Sequence, residues 1–159
     1  MHALQVEPLT SEAFSPYGFV FDVGTLEIGQ RQEIERFMTN LREHATLNLA
    51  LTRKRPSSTP FQVEWLERHP HSSQAFVSID LPGFLVMVTE PNPNGTPDLQ
   101  KLRAFRGARN QGMCYHAGVW HHPFVTLGGA GEYLTLRYDD GSEEDTLWHR
   151  VEDGPNVAP

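Results

Sequence analysis

The chain has one cysteine, Cys114, in 159 residues. A single thiol forms no internal bridge, so a disulfide-stapled domain is excluded. None is needed, because a chain of about 150 residues buries roughly two-thirds of its unfolded surface. Positive charge is scarce too. Lys and Arg number 13 against 20 acidic residues, for a net charge of −7. That argues against nucleic acid, which calls for a basic face. The one basic run, Arg53-Lys54-Arg55, reads as a solvated loop before Pro56. No apolar stretch approaches the roughly 18 residues of a membrane-crossing helix. The opening MHALQVEPLT lacks a basic region followed by an apolar one. Neither membrane association nor a signal peptide is expected, and a cytoplasmic location is.

Helical periodicity is also thin. Ile34, Phe37, Met38 and Leu41 fall at i, i+3, i+4 and i+7, which predicts an amphipathic helix over 31–43. Residues 10–14 predict one short turn. Thr96-Pro97-Asp98 has the order of a helix start, good for a turn or two before 102–105.

Glycine and proline are plentiful, at 13 and 12. Between them lie short segments of period-2 alternation at 46–51, 61–66, 119–127 and 132–138, with a continuous apolar run at 84–88 that suits a strand buried on both faces. Strands at this spacing predict an antiparallel sandwich or barrel. The length fits one domain over 1–159, with a loose tail after about residue 153.

Histidine is concentrated. QGMCYHAGVWHHP at 111–123 carries three of the eight, and ERHPHSSQ at 67–74 carries two more. Histidine titrates near neutrality and is the commonest metal ligand, so two such segments in a β-rich chain predict one acid–base or metal site built from two strands or their turns. Alternation puts Cys114 and His116 on one side of a strand and Tyr115 on the other. A turn at Ala117-Gly118 would then fold His116 back toward His121. His69 and His71 have the i, i+2 spacing of two ligands on one strand face, and Pro70 between them favours a strand end. Arg68 can fork a carboxylate or pair with Glu67 or Glu64. A Cys114–His116 nucleophilic pair has only its spacing in favour, and a buried, inert thiol is the commoner outcome.

LERHP (66–70), SQAF (73–76), LRAF (102–105), QG-x-x-YH-x-GVWHHP (111–123) and the opening EAFSPYG (12–18) together resemble the ureidoglycolate lyase family over most of the chain, in order. The resemblance implies a cupin-like double-stranded β-barrel, or jelly roll, with one or two short helices. It also implies a homodimer and a small carboxylate as substrate. The family's reaction splits ureidoglycolate into glyoxylate and urea in allantoin and purine breakdown. The alternative is a diverged cupin that binds or converts another small carboxylate, with or without a metal. By position in the motifs, His116 or His121 would carry the acid–base step. Arg68 or Arg103 would hold the carboxylate. His69, Gln74, Gln111, Tyr115 and Trp120 would line the site. No cofactor is certain, and a divalent ion could be held by His69, His71 and His121.

The chain departs from the family pattern, mildly at Ser72 and His71 and more sharply at three places. Met38 stands where a histidine is expected, Cys114 where an asparagine is, and Arg137-Tyr138 where an Asp-Arg pair is.

Overall fold

The alternating segments pair into two facing sheets. The computed structural model describes residues 3–159. With strands numbered in chain order, one sheet runs β3 (Gly18–Asp22), β10 (Gln111–Tyr115), β7 (Gln74–Asp80), β13 (Gly131–Asp139), β4 (Thr46–Lys54). The other runs β14 (Leu147–Arg150), β6 (Trp65–Arg68), β11 (Trp120–His121), β8 (Gly83–Thr89), β9 (Arg103–Ala108), β2 (Val6–Pro8), with β12 (Val125–Leu127) also on β8. A small sheet of β1 (Ala3–Leu4), β15 (Asn156–Val157) and β5 (Phe61–Gln62) stands apart. Pairing is antiparallel except for β1 with β15 and β2 with β9. This is the expected cupin-like double-stranded barrel.

The run at 84–88 is buried on both faces, as its composition predicts. Phe84, Val86 and Val88 point between the two main sheets, where Phe76, Phe105, Met113, Phe124 and Tyr133 meet them. Leu85 and Met87 point outward, under a second layer that includes Val63, Val151 and Val157. Each such side chain contributes about 1.5–3 kcal/mol relative to exposure. Phe76 and Phe124 stack at 4.4 Å between centroids. The Phe84 ring crosses Gly107 so closely that a Cβ there would meet it at 2.0 Å, so Gly107→Ala would displace the ring.

The helices are shorter than the periodicity predicts. Ser11–Phe14 forms one turn, capped by the Thr10 hydroxyl accepting from the Ala13 amide at 3.2 Å. The helix predicted over 31–43 is a single 3-10 turn, Ile34–Phe37, without a side-chain cap. The reason is competition for backbone groups: Leu41 N–H donates to the His71 carbonyl and Ser73 N–H to the Thr39 carbonyl, which pins the chain extended along 71–73. Ile34, Phe37 and Met38 still pack on the outer face of the five-stranded sheet, whereas Leu41 is exposed. At 96–101, Asp98 rather than Thr96 caps a 3-10 turn, Leu99–Lys101. The tail is not loose. Val157 is fully buried and pairs with Leu4 and Phe61, giving the last residues a hydrophobic reason to stay.

Candidate active site

Two adjacent strands assemble the site. On β6, Leu66 faces the outer core, so Glu67 faces inward. His69, one residue past the strand, keeps that inward side. His121 lies opposite Glu67 in the β11–β6 register. The ligand-type atoms of Glu67, His69 and His121 all lie within 4.8 Å of one another, and both imidazoles are buried. His121 Nε2 stands 3.5 Å from Glu67 Oε1, beyond a formed hydrogen bond.

The backbone sets both imidazoles. A carbonyl only accepts, so His69 Nδ1, 2.9 Å from the Asp145 oxygen, carries a hydrogen. His121 Nδ1 likewise donates to the Val119 carbonyl at 3.0 Å. Both Nε2 atoms are thereby left toward the carboxylate. Burial, with the charges of His121 and Arg137, drives His69 down to about 4, so it is neutral at pH 7. Burial opposes the charge on Glu67. Hydrogen bonding to His121 and the positive charge of His121 and Arg137 more than offset it and keep the carboxyl below its ordinary range. Two imidazoles and a carboxylate thus converge, each offering an atom that can hold a proton or a metal ion. Such a set suits a shared proton or a divalent transition ion, with the two backbone carbonyls fixing the ligand rings.

Three further inward groups surround this cluster. The Tyr115 ring lies on His121. Gln74 faces Tyr115 on one side and Arg137 on the other in the sheet register. Arg137 Nη1 reaches His69 at 3.1 Å from Nδ1 and 3.4 Å from Nε2. The hydroxyl of Tyr115, Oε1 of Gln74 and Nε2 of His121 are buried without a hydrogen-bond partner. Unpartnered buried polar atoms are costly, at about 1–3 kcal/mol each, so three on the inward side of the same two sheets call for an explanation.

Other residues singled out in the sequence lie elsewhere. His116 shares the outward side with Cys114, as the alternation required, and its ring meets Phe19 at 4.9 Å. The turn has Gly118 at φ +83°, as expected, but Tyr115 rather than His116 reaches His121. His71 lies past the end of β6, where the strand alternation no longer applies, and it pairs with Glu144 at 3.3 Å on the surface. Arg68 lies over Trp120 on the outer face, 5.0 Å from the ring centroid, and the Trp120 indole donates to the Gly95 carbonyl. Arg103 is taken by a two-pronged pair with Glu7 and by the Ala13 carbonyl. Gln111 closes its own hairpin through the Ala108 amide and the Leu9 carbonyl.

Glu67 and Arg137 were not read as site residues. For Glu67 the signal was present, as the i−2 neighbour of His69. Arg137 was visible only as a departure. The other two departures touch each other: Cys114 Sγ lies 3.7 Å from Met38 Sδ, on the outer face of the sheet. Burial pushes this thiol up to about 12, which leaves it protonated and unreactive.

The comparisons with known proteins agree with these motifs. Solved structures similar to the chain include a 3'-monoepimerase from Streptomyces bikiniensis, at 16% identity and a TM-score of 0.47, covering 96% of this chain and 74% of that one. A 3,4-ketoisomerase from Helicobacter canadensis follows at 12% identity and 0.42, covering 62% and 66%. A ureidoglycolate lyase from Burkholderia mallei is 37% identical over 153 residues, covering 89% of this chain and 86% of its own. One from Escherichia coli K12 is 34% identical over 139 residues, covering 84% and 86%. The sequence profile described as ureidoglycolate lyase matches residues 1–157, and the chain belongs to that family.

Proposed function

We propose that the protein splits ureidoglycolate into glyoxylate and urea. The observation that carries this reading is the buried cluster of Glu67, His69 and His121, with the unpartnered Tyr115 hydroxyl and Gln74 Oε1 on the same inward side, in a chain of this family. The substrate carbon bears both a hydroxyl and the urea nitrogen. A base removes the hydroxyl proton, the C–O bond becomes a carbonyl, the C–N bond breaks, and an acid protonates the departing nitrogen. No water is consumed.

The basic atoms are the Nε2 atoms of His69 and His121 and the Glu67 carboxylate. Burial, with the Glu67 charge behind it, holds the Tyr115 phenol well above 10, so it keeps its proton and can donate to the leaving urea. Gln74 Oε1 accepts from a urea N–H. Glu67, His69 and His121 are suited to hold a divalent ion, and that ion would supply positive charge that acidifies the substrate hydroxyl. The test is glyoxylate release from ureidoglycolate by purified protein, before and after chelation. Absence of turnover by folded, metal-supplied protein would overturn the reading. A second reading, another small carboxylic acid as substrate, is favoured by Arg137, a cation where the family pattern has an acid.

The active unit in this proposal is a cytoplasmic homodimer. Leu47, Leu49, Leu51 and Ile79 are at least half exposed on the outer face of the five-stranded sheet. Beside them a cavity of about 410 Å³ opens between Phe21, Val23, Ile34 and Val77. An uncovered apolar face of this kind marks an association surface. Leu49→Lys should yield monomers in light scattering if two copies meet there.

A further inference from the structure

Arg137 is held by partners from both main sheets. It projects from the inward side of β13, opposite Asn48 on one neighbouring strand and Gln74 on the other. Asp139 takes two of its five N–H groups, Nε at 2.6 Å and one on Nη2 at 3.0 Å. Asn48 steadies that carboxylate in turn, at 2.8 Å. Nη1 gives one hydrogen to the Thr146 hydroxyl at 3.2 Å. Thr146 immediately precedes β14, so the guanidinium bridges the seam between the two sheets. One hydrogen on Nη2 remains unused, and the second on Nη1 has only a long contact, 3.4 Å to His69 Nε2, which a carboxylate oxygen would replace. Together they form one edge of the guanidinium, the edge that binds a carboxylate two-pronged. The side chain is 23% exposed, so this edge is not sealed off.

No other arginine discussed above is in this position: Arg103 is consumed by Glu7, and Arg68 lies on the outer face. Asp139 tempers the net charge, but it also fixes the guanidinium plane, so little side-chain entropy remains to be lost on binding.

We infer that Arg137 is the specificity-determining residue of this chain, anchoring the substrate carboxylate through its Nη1–Nη2 edge while the bond to be broken lies over Glu67, His69 and His121. The inference rests on the site assigned above, though not on the identity of the leaving group. It makes the departure from the family's acidic residue a change in how the substrate acid is held.

The test compares binding of glycolate with that of glycolamide, its uncharged counterpart, by calorimetry on wild type, R137Q and R137K. Wild type should prefer glycolate. R137Q should bind glycolate about tenfold or more weakly, as expected for loss of a charge-assisted pair, and bind glycolamide as before. R137K keeps the charge, loses the paired edge and should fall between; it carries the test if R137Q does not fold. Equal affinity of wild type and variants for glycolate, an equal loss for both ligands, or no glycolate preference in wild type would each overturn the inference. The two proposals separate cleanly. Arg137-dependent glycolate binding without ureidoglycolate turnover leaves the anchor and removes the lyase reading. Turnover with an unchanged KM in R137Q does the reverse.

Discussion

Tyr115 lies on His121 with ring centroids 4.1 Å apart and planes 18° from parallel. The stack holds the two rings together, and the buried phenol hydroxyl has no partner. A buried hydroxyl kept without a hydrogen bond lowers stability. Tyr115→Phe should therefore leave the melting temperature unchanged or raise it, by about 1 kcal/mol of stability at most, and lower kcat at least tenfold. Melting curves and glyoxylate release on the same preparation check it; full activity in the variant would remove Tyr115 from the proton chemistry.

His121→Ala should reduce turnover by about a hundredfold or more, within the range for loss of an acid–base group. The cavity it leaves borders the Glu67 carboxylate, so folding is checked by circular dichroism, and Glu67→Gln is measured alongside. Wild-type rates in both variants would end the assignment of the cluster.

The metal-free protein should lose stability below neutral pH because of His69. Its folded value, about 4, lies below the ordinary 6.5, so the folded state resists a proton that the unfolded state takes up. The contribution is complete above about pH 6.5 and lost as pH falls toward 4. Its size is on the order of 3 kcal/mol, from 1.36 kcal/mol per pKa unit. Urea midpoints at pH 7.5 and 4.5 should differ clearly less in His69→Gln than in wild type. Equal slopes would contradict the burial of a neutral imidazole.

Metal affinity offers an independent reading of Arg137. Its guanidinium touches His69, and like charge there opposes a bound cation. R137Q should therefore bind a divalent transition ion more tightly than wild type, and Glu67→Gln more weakly. Competition with a chromogenic chelator measures both, and an unchanged affinity in R137Q would count against a shared site.

Cys114 should be inert to Ellman's reagent in the native protein and react once in denaturant. It is fully buried, and burial holds its thiol protonated. Rapid native labelling would contradict this packing.

The barrel was legible because period-2 alternation and turn residues are local signals, and the run at 84–88 announced burial on both faces. The second element, at 31–43, misled because its apolar spacing is helical while its backbone groups bond residues 71–73, a long-range pairing that no local window contains. The same limit applied to the site. The histidines were legible as a cluster, and His69, His121, Tyr115 and Gln74 do gather. His71 was mispaired because β6 ends at Arg68, and the strand rule stops with it. Arg137 is 68 positions from His69 in sequence, and only the register of β13 against β7 brings it close.

The contact between Met38 and Cys114 ties two positions of the outer wall together. The residues that the family pattern holds at these places, histidine and asparagine, are both polar; here both are sulfur-bearing, they touch, and Cys114 is sealed from solvent. Either of those polar residues placed here alone would face a sulfur atom across the contact. The two side chains are therefore energetically coupled, so changing both should cost less than the sum of the single changes, on the outer wall of the barrel and apart from Arg137 on its inner one.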